Sequence, residues 1–156
     1  MNGGNGSFAV FKLMHRAMLI GQLLFLGVLF SLAYLDVWKS PLASADRIFQ
    51  VLAIVVCGTL FFIGNHLFKK RCAALKNDPF ISAAEKFEQY RFANIIQWIF
   101  LEGAALFACI CFFLVGNQVY LVLGSLLVFL FILQAPGKTK TMLQAGLSMS
   151  ELEELL

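Results

Sequence analysis

This sequence predicts an all-α polytopic membrane protein, a four-transmembrane-helix bundle, and three observations carry that prediction. The chain of 156 residues is 60% hydrophobic and only 13% charged. Its mean hydropathy of +0.83 is too high for an ordinary soluble domain. Its apolar residues gather into four runs, 17–35, 48–68, 92–115 and 119–133. A helix needs about 20 apolar residues to cross about 30 Å of hydrocarbon, and the first three runs reach or approach that length. The fourth is short and needs Gln118 and Gln134 to reach toward the headgroups at its ends. Because the backbone must satisfy its own hydrogen bonds in lipid, and barrel strands would alternate polar with apolar residues, the runs read as helices. The expected organisation is one membrane domain, residues 1–156, with helices at about 12–36, 47–68, 79–115 and 118–135 and a short amphipathic helix at about 149–156.

Each element has its own justification. The first run is longer than a usual signal-peptide core and is followed by Asp36, Val37, Trp38 and Lys39 rather than a small-residue cleavage site, so it reads as a retained helix. Pro41 breaks the connection to the second run. Gly64-Asn65 and Gly116-Asn117 read as helix C-caps. Two signals start the third helix. Asp78-Pro79 offers a capping oxygen and a first-turn proline, and Ser82 with Glu85 has the form of a capping box. Phe80, Ala84 and Phe87 share one face of its polar extension and could pack on the C-terminal segment. There Ser148 to Glu151 precedes Leu152, Leu155 and Leu156, although a loose acidic helix in solvent is the simpler expectation.

Charge sets the expected orientation. In a four-pass arrangement Lys12, Arg16, Lys69, Lys70, Arg71, Lys76, Lys86, Arg91, Lys138 and Lys140 lie on one side, and only Lys39 and Arg47 on the other. The positive-inside rule then places both termini in the cytoplasm of a multi-pass protein of the bacterial inner membrane. Tyr34, Trp38 and Tyr120 fall at the outer boundary, where amphipathic rings belong. The basic cluster Lys69, Lys70, Arg71 reads as a stop-transfer and lipid-headgroup segment.

Glu102 is the residue that most needs explaining, because the third run carries no other charge. A charged side chain at mid-membrane costs about 2.5–3.5 kcal/mol on insertion scales and usually faces a protein interior or a water-filled path. Trp98, Glu102, Ala105, Cys109 and Gly116 fall in one narrow helical stripe, so small residues flank the carboxyl and admit a close neighbour. Ile20, Leu24, Gly27 and Ser31 form the comparable stripe on the first helix. Gln22 lies at nearly the depth of Glu102. If the two stripes face each other, Gln22 faces lipid or another subunit; if Gln22 turns inward, it is the natural hydrogen-bond partner of Glu102. Two readings of the carboxyl follow: a neutral acid locking two helices together, or a proton or cation carrier.

Other chemistry is thin. Cys57, Cys72, Cys109 and Cys111 contain no Cys-x-x-Cys pair, so buried small hydrophobes are the better reading. His15 and His66 read as interface side chains beside Arg16 and Lys69 rather than as metal ligands. No metal, cofactor, enzyme activity or nucleic-acid contact is expected. A weak repeat aligns Gly21-Gln-Leu-Leu-Phe25 with Gly103-Ala-Ala-Leu-Phe107 and suggests two tandem hairpins, with Ile20 matching Glu102 and Gly27 matching Cys109.

The succession of Gly21-Gln-Leu-Leu-Phe25, Gly64-Asn-His-Leu-Phe-Lys-Lys-Arg71, Leu101-Glu-Gly-Ala-Ala-Leu-Phe107, Gly116-Asn117 and Pro136-Gly-Lys-Thr-Lys140 resembles small uncharacterised four-helix membrane proteins of Bacteroidetes-type bacteria. That resemblance covers nearly the whole chain and implies fold and topology, with no activity attached. Rotary-ATPase proteolipids and small multidrug exporters also carry one intramembrane acid. The former place it on the second helix of a hairpin and the latter on the first helix, so both likenesses concern the fold alone. The expected partners are the lipid bilayer and either a second copy or another membrane protein. The functional expectation is a non-catalytic membrane partner or assembly subunit, with a proton- or cation-coupled transport component acting through Glu102 as the alternative.

Overall fold

The computed structural model describes residues 5–35, 40–77 and 80–154. The expectations on Trp38, on the Asp78-Pro79 helix start and on Leu155 and Leu156 lie outside these residues. Among the described residues the chain is helical without strands: α1 (Asn5–Tyr34), a short 3₁₀ turn (Ala43–Ala45), α2 (Asp46–Asn77), α3 (Ala83–Val115), α4 (Val119–Leu133), α5 (Lys138–Ala145) and α6 (Met149–Glu154). Three helices are long and apolar enough to cross a membrane, and a fourth span is reached if α4 and α5 are taken together. Large apolar side chains project outward along them, with Leu24, Ile54, Phe62 and Val122 each about two-thirds exposed. Lipid is the solvent that suits such a surface.

The helices are longer than expected at the basic end. α1 begins at Asn5, well before residue 12, and α2 runs past residue 68 to Asn77. Lysine, arginine and alanine are good helix formers, so they continue a helix where lipid no longer demands apolar side chains. α3 begins at the second of its two start signals. Ser82 is the N-cap, its hydroxyl accepting from the Glu85 amide at 3.3 Å. It ends where Gly116 takes the left-handed conformation, φ 79°, and donates its amide to the Phe112 carbonyl at 2.7 Å. α5 is an element the sequence reading omits. After Pro136-Gly137 it turns 82° from α4 and crosses the end of the bundle.

α3 is the central helix. Half of its most apolar stretch is buried, against 17% in α1 and in α2. One side packs along α2 and the other receives α4 and α1, whereas α1 and α2 have little contact with each other among the described residues. The two expected hairpins are therefore unlike. α3 and α4 pack as a pair, while α1 runs parallel to α3 and packs on α3 and α4. Phe8 and Phe11 against Phe87, and Gln144 on Tyr90, place both described chain ends at the same, basic end of the bundle.

Gly64 shows how closely α2 and α3 approach. It is a mid-helix residue rather than a C-cap, and a methyl group there would lie 2.8 Å from Phe100 Cβ and 3.6 Å from the Gln97 carbonyl oxygen. One residue on, Asn65 accepts a hydrogen bond from Gln97 Nε2 at 3.4 Å, and Cys57 donates its thiol proton to the Ala104 carbonyl at 3.3 Å. The C-terminal tail is docked, which corrects the loose-helix expectation. Leu147 and Leu152 are buried, Leu152 completely, while Phe80 is exposed and Phe87 packs on α1 instead.

Candidate functional site

Glu102 projects from the middle of α3 at the boundary between two stripes of that helix. Trp98, Ala105 and Cys109 on one side of it are buried, and Ile99, Leu106 and Phe113 on the other are exposed. The carboxyl is half-buried, so it borders the membrane-facing surface instead of lining the middle of the bundle.

The small residues near it divide between two roles. Ala105 and Cys109 meet α4 inside the same chain: a methyl group on Gly124 would lie 3.5 Å from Cys109 Sγ, 3.6 Å from Leu26 Cδ1 and 3.9 Å from the Ala105 carbonyl oxygen. Gly27 and Ser31 face away from the bundle. Nothing among the described residues lies within 4 Å of a methyl group built on Gly27, and the exposed Ser31 hydroxyl donates to its own helix, at the Gly27 carbonyl, at 2.9 Å. The α1 stripe of Ile20, Leu24, Gly27 and Ser31 therefore does not face the α3 stripe.

Gln22 turns inward, the second of the two placements the sequence left open, but it makes no bond to Glu102. It is 4% exposed, and both its amide oxygen and its amide nitrogen lack a partner among the described residues. The fully buried Trp98 has the same condition at its indole Nε1. An unpaired buried amide or indole N–H costs about 1–3 kcal/mol, so these two side chains are a polar expense within the seam where α1 meets α3 and α4.

Nearer the basic end the seam closes on aromatic rings. His15 is buried, which corrects its reading as an interface side chain; it stacks on Phe131 with centroids 4.6 Å apart and meets Trp98 edge-on at 4.9 Å. Its Nε2 lies 3.1 Å from the Phe131 carbonyl oxygen, and an acceptor there assigns the proton to Nε2. That carbonyl belongs to the last turn of α4, where it also accepts from the Gln134 amide at 3.0 Å, so the His15 bond is a second one to the same oxygen. Phe11 completes the cluster, stacked on Trp98 at 5.0 Å. His66 is exposed, and no group of three or more His, Cys, Asp or Glu side chains among the described residues is placed to hold a metal.

At the opposite end the structure assembles a polar clamp that the sequence reading missed. Asp46, in the first turn of α2, accepts from Tyr120 Oη at 2.9 Å, from Asn117 Nδ2 at 2.7 Å and from Gln50 Nε2 at 3.0 Å. Asn117 also accepts from the Val119 amide at 3.0 Å, an Asx turn that leads into α4. The clamp ties the start of α2 to the α3–α4 turn. Its signal was an acid immediately before an apolar run with an Asn and a Tyr after another, too common a pattern to single out.

The basic cluster is not one patch. Successive residues of a helix point about 100° apart. Arg71 lies over the Phe92 ring of α3 at 5.0 Å, Lys69 turns to the groove between α2 and α5, and Lys70 is exposed. Near the C-terminus Ser148 and Glu151 form a reciprocal cap: the Ser148 amide and hydroxyl each donate to Glu151 Oε2 at 2.7 Å, and the Glu151 amide returns to Ser148 Oγ at 3.2 Å. Those bonds from Ser148 hold the Glu151 carboxyl below its ordinary range.

Comparison with protein families, with curated proteins and with solved structures gave no match.

Proposed function

We propose that this chain is a non-catalytic membrane partner or assembly subunit of the inner membrane, and that Glu102 marks the seam where another transmembrane helix docks. The observation that supports this reading is the half-buried position of Glu102 between buried Cys109 and exposed Leu106. A carboxyl at the lipid boundary is expensive, and a polar group on a neighbouring helix relieves the cost. The partner is a second copy or a different membrane protein, with the basic end and both termini on the cytoplasmic side by charge.

Cross-linking in native membranes tests the proposal. The four native cysteines are buried, so single cysteines introduced as Ile99→Cys and Leu106→Cys report their own surroundings. Both variants are expected to yield an adduct heavier than one chain, and its mass separates a second copy from a different partner. Ile54→Cys, on the exposed face of α2, serves as the comparison. Adduct formation at Ile54→Cys equal to that at both α3 positions, or none at either α3 position, contradicts the docking seam.

A second reading is supported by the unpartnered Gln22 and Trp98 groups. Trp98 lies one helical turn from Glu102 on α3, so a proton- or cation-coupled component acting through Glu102 would have a polar group beside it.

A further inference from the structure

We propose that the groove between α2 and α5 binds the phosphate of an anionic phospholipid headgroup. The groove has a volume of about 260 Å³ and is lined by Phe68, Lys69, Cys72, Ala73, Lys76 and Gln144. Phe68 and Cys72 are buried and make an apolar floor. Lys69 and Lys76 stand two helical turns apart on the same side of α2, so their long side chains converge on one opening from both ends. Among the described residues neither lysine is paired with a carboxylate and no acidic residue lines the groove.

Gln144 supplies a fixed donor. Tyr90 Oη donates to Gln144 Oε1 at 2.9 Å, and Tyr90 itself is fully buried. With the amide oxygen engaged, the Nε2 hydrogens are left to donate to an anion. Two ammonium groups and one oriented amide over an apolar floor suit a phosphate joined to acyl chains. The depth agrees. The apolar run 48–68 ends at the groove, and α5 lies across the bundle after its 82° turn, at the level where headgroups begin. Gly146 holds the far edge, packing against Lys76, whose Cγ would lie 3.1 Å from a methyl group there.

The inference rests on the membrane reading of the chain but not on the docking role of Glu102, so either can fail alone. Native mass spectrometry of the full chain, with phosphatidylglycerol, phosphatidylcholine or inorganic phosphate added, provides the test. Wild type is expected to retain phosphatidylglycerol under conditions that strip phosphatidylcholine. Lys69→Gln with Lys76→Gln is expected to weaken retention about 25-fold, since each basic residue near an anionic surface contributes about fivefold. Lys70→Gln removes a single positive charge one residue from Lys69 and outside the groove, and is expected to keep the retained lipid, whereas Lys69→Gln alone is expected to weaken retention about fivefold. Gln144→Ala leaves net charge untouched and is expected to weaken retention, which decides the matter should the double variant lose its helicity. Equal loss in Lys70→Gln and the double variant, or equal retention of phosphatidylcholine, overturns the proposal. Retention of inorganic phosphate without lipid overturns it in favour of a soluble phosphate.

Discussion

A methyl group on Gly64 has nowhere to go, with Phe100 Cβ at 2.8 Å, whereas one on Gly27 meets nothing within 4 Å among the described residues. Gly64→Ala is therefore expected to lower stability by about 1–3 kcal/mol, the usual cost of overpacking. Gly27→Ala is expected to cause no loss, because Ala is the better helix former and no neighbour must yield. Thermal unfolding in one detergent checks the pair, and equal behaviour would contradict the close α2–α3 approach. The sequence singled out Gly27 and took Gly64 for a helix end. Helical spacing shows which residues share a stripe but not which stripe faces protein, since lipid and a protein interior are equally apolar. For the same reason the spacing left Gln22 undecided, and only the packed bundle turns it inward.

At the scale of elements, the main helices were legible because their apolar runs suit the bilayer, and Ser82 with Glu85 marked a true start. α5 was not legible. Its eight residues include two lysines and two threonines, and only the burial of Thr141 and Ala145 against the bundle explains the helix. The docked tail was hidden likewise, since acidic residues around Leu152 suggest solvent until the buried leucine is seen. Leu152→Ala is expected to cost about 2–5 kcal/mol if its site cannot collapse, and to expose the tail to protease first. Acid should act on the same element. The folded-state carboxyl of Glu151 titrates below its ordinary range, so its support for α6 is complete at neutral pH. It is lost as pH falls through the ordinary carboxylate range toward the depressed value. Proteolysis of the tail measured from pH 7 downward should rise in wild type and rise less in Glu151→Gln.

For the whole molecule, one helix organises the rest: α3 joins α2 on one side to α4 and α1 on the other, and carries Glu102 along the margin left uncovered. The all-α class, with helices long and apolar enough to span a membrane, was readable from composition and run length, but the order of packing was not, because α1 could pair with α2 or with α3 at similar apolar cost. The polar contacts that distinguish these choices, Asp46 with Tyr120 and His15 with the Phe131 carbonyl, join residues far apart in the chain. The proposed cover of Glu102 is a helix from outside this chain. Its most direct test is the mass of the particle extracted from native membranes with its surrounding lipid, for wild type and for Glu102→Leu. Wild type is expected to exceed the 17.4 kDa of one chain by at least one further polypeptide, and Glu102→Leu, fully compatible with lipid, to shift toward the single chain. A wild-type particle holding one chain, or an unchanged assembly in Glu102→Leu, would contradict the account.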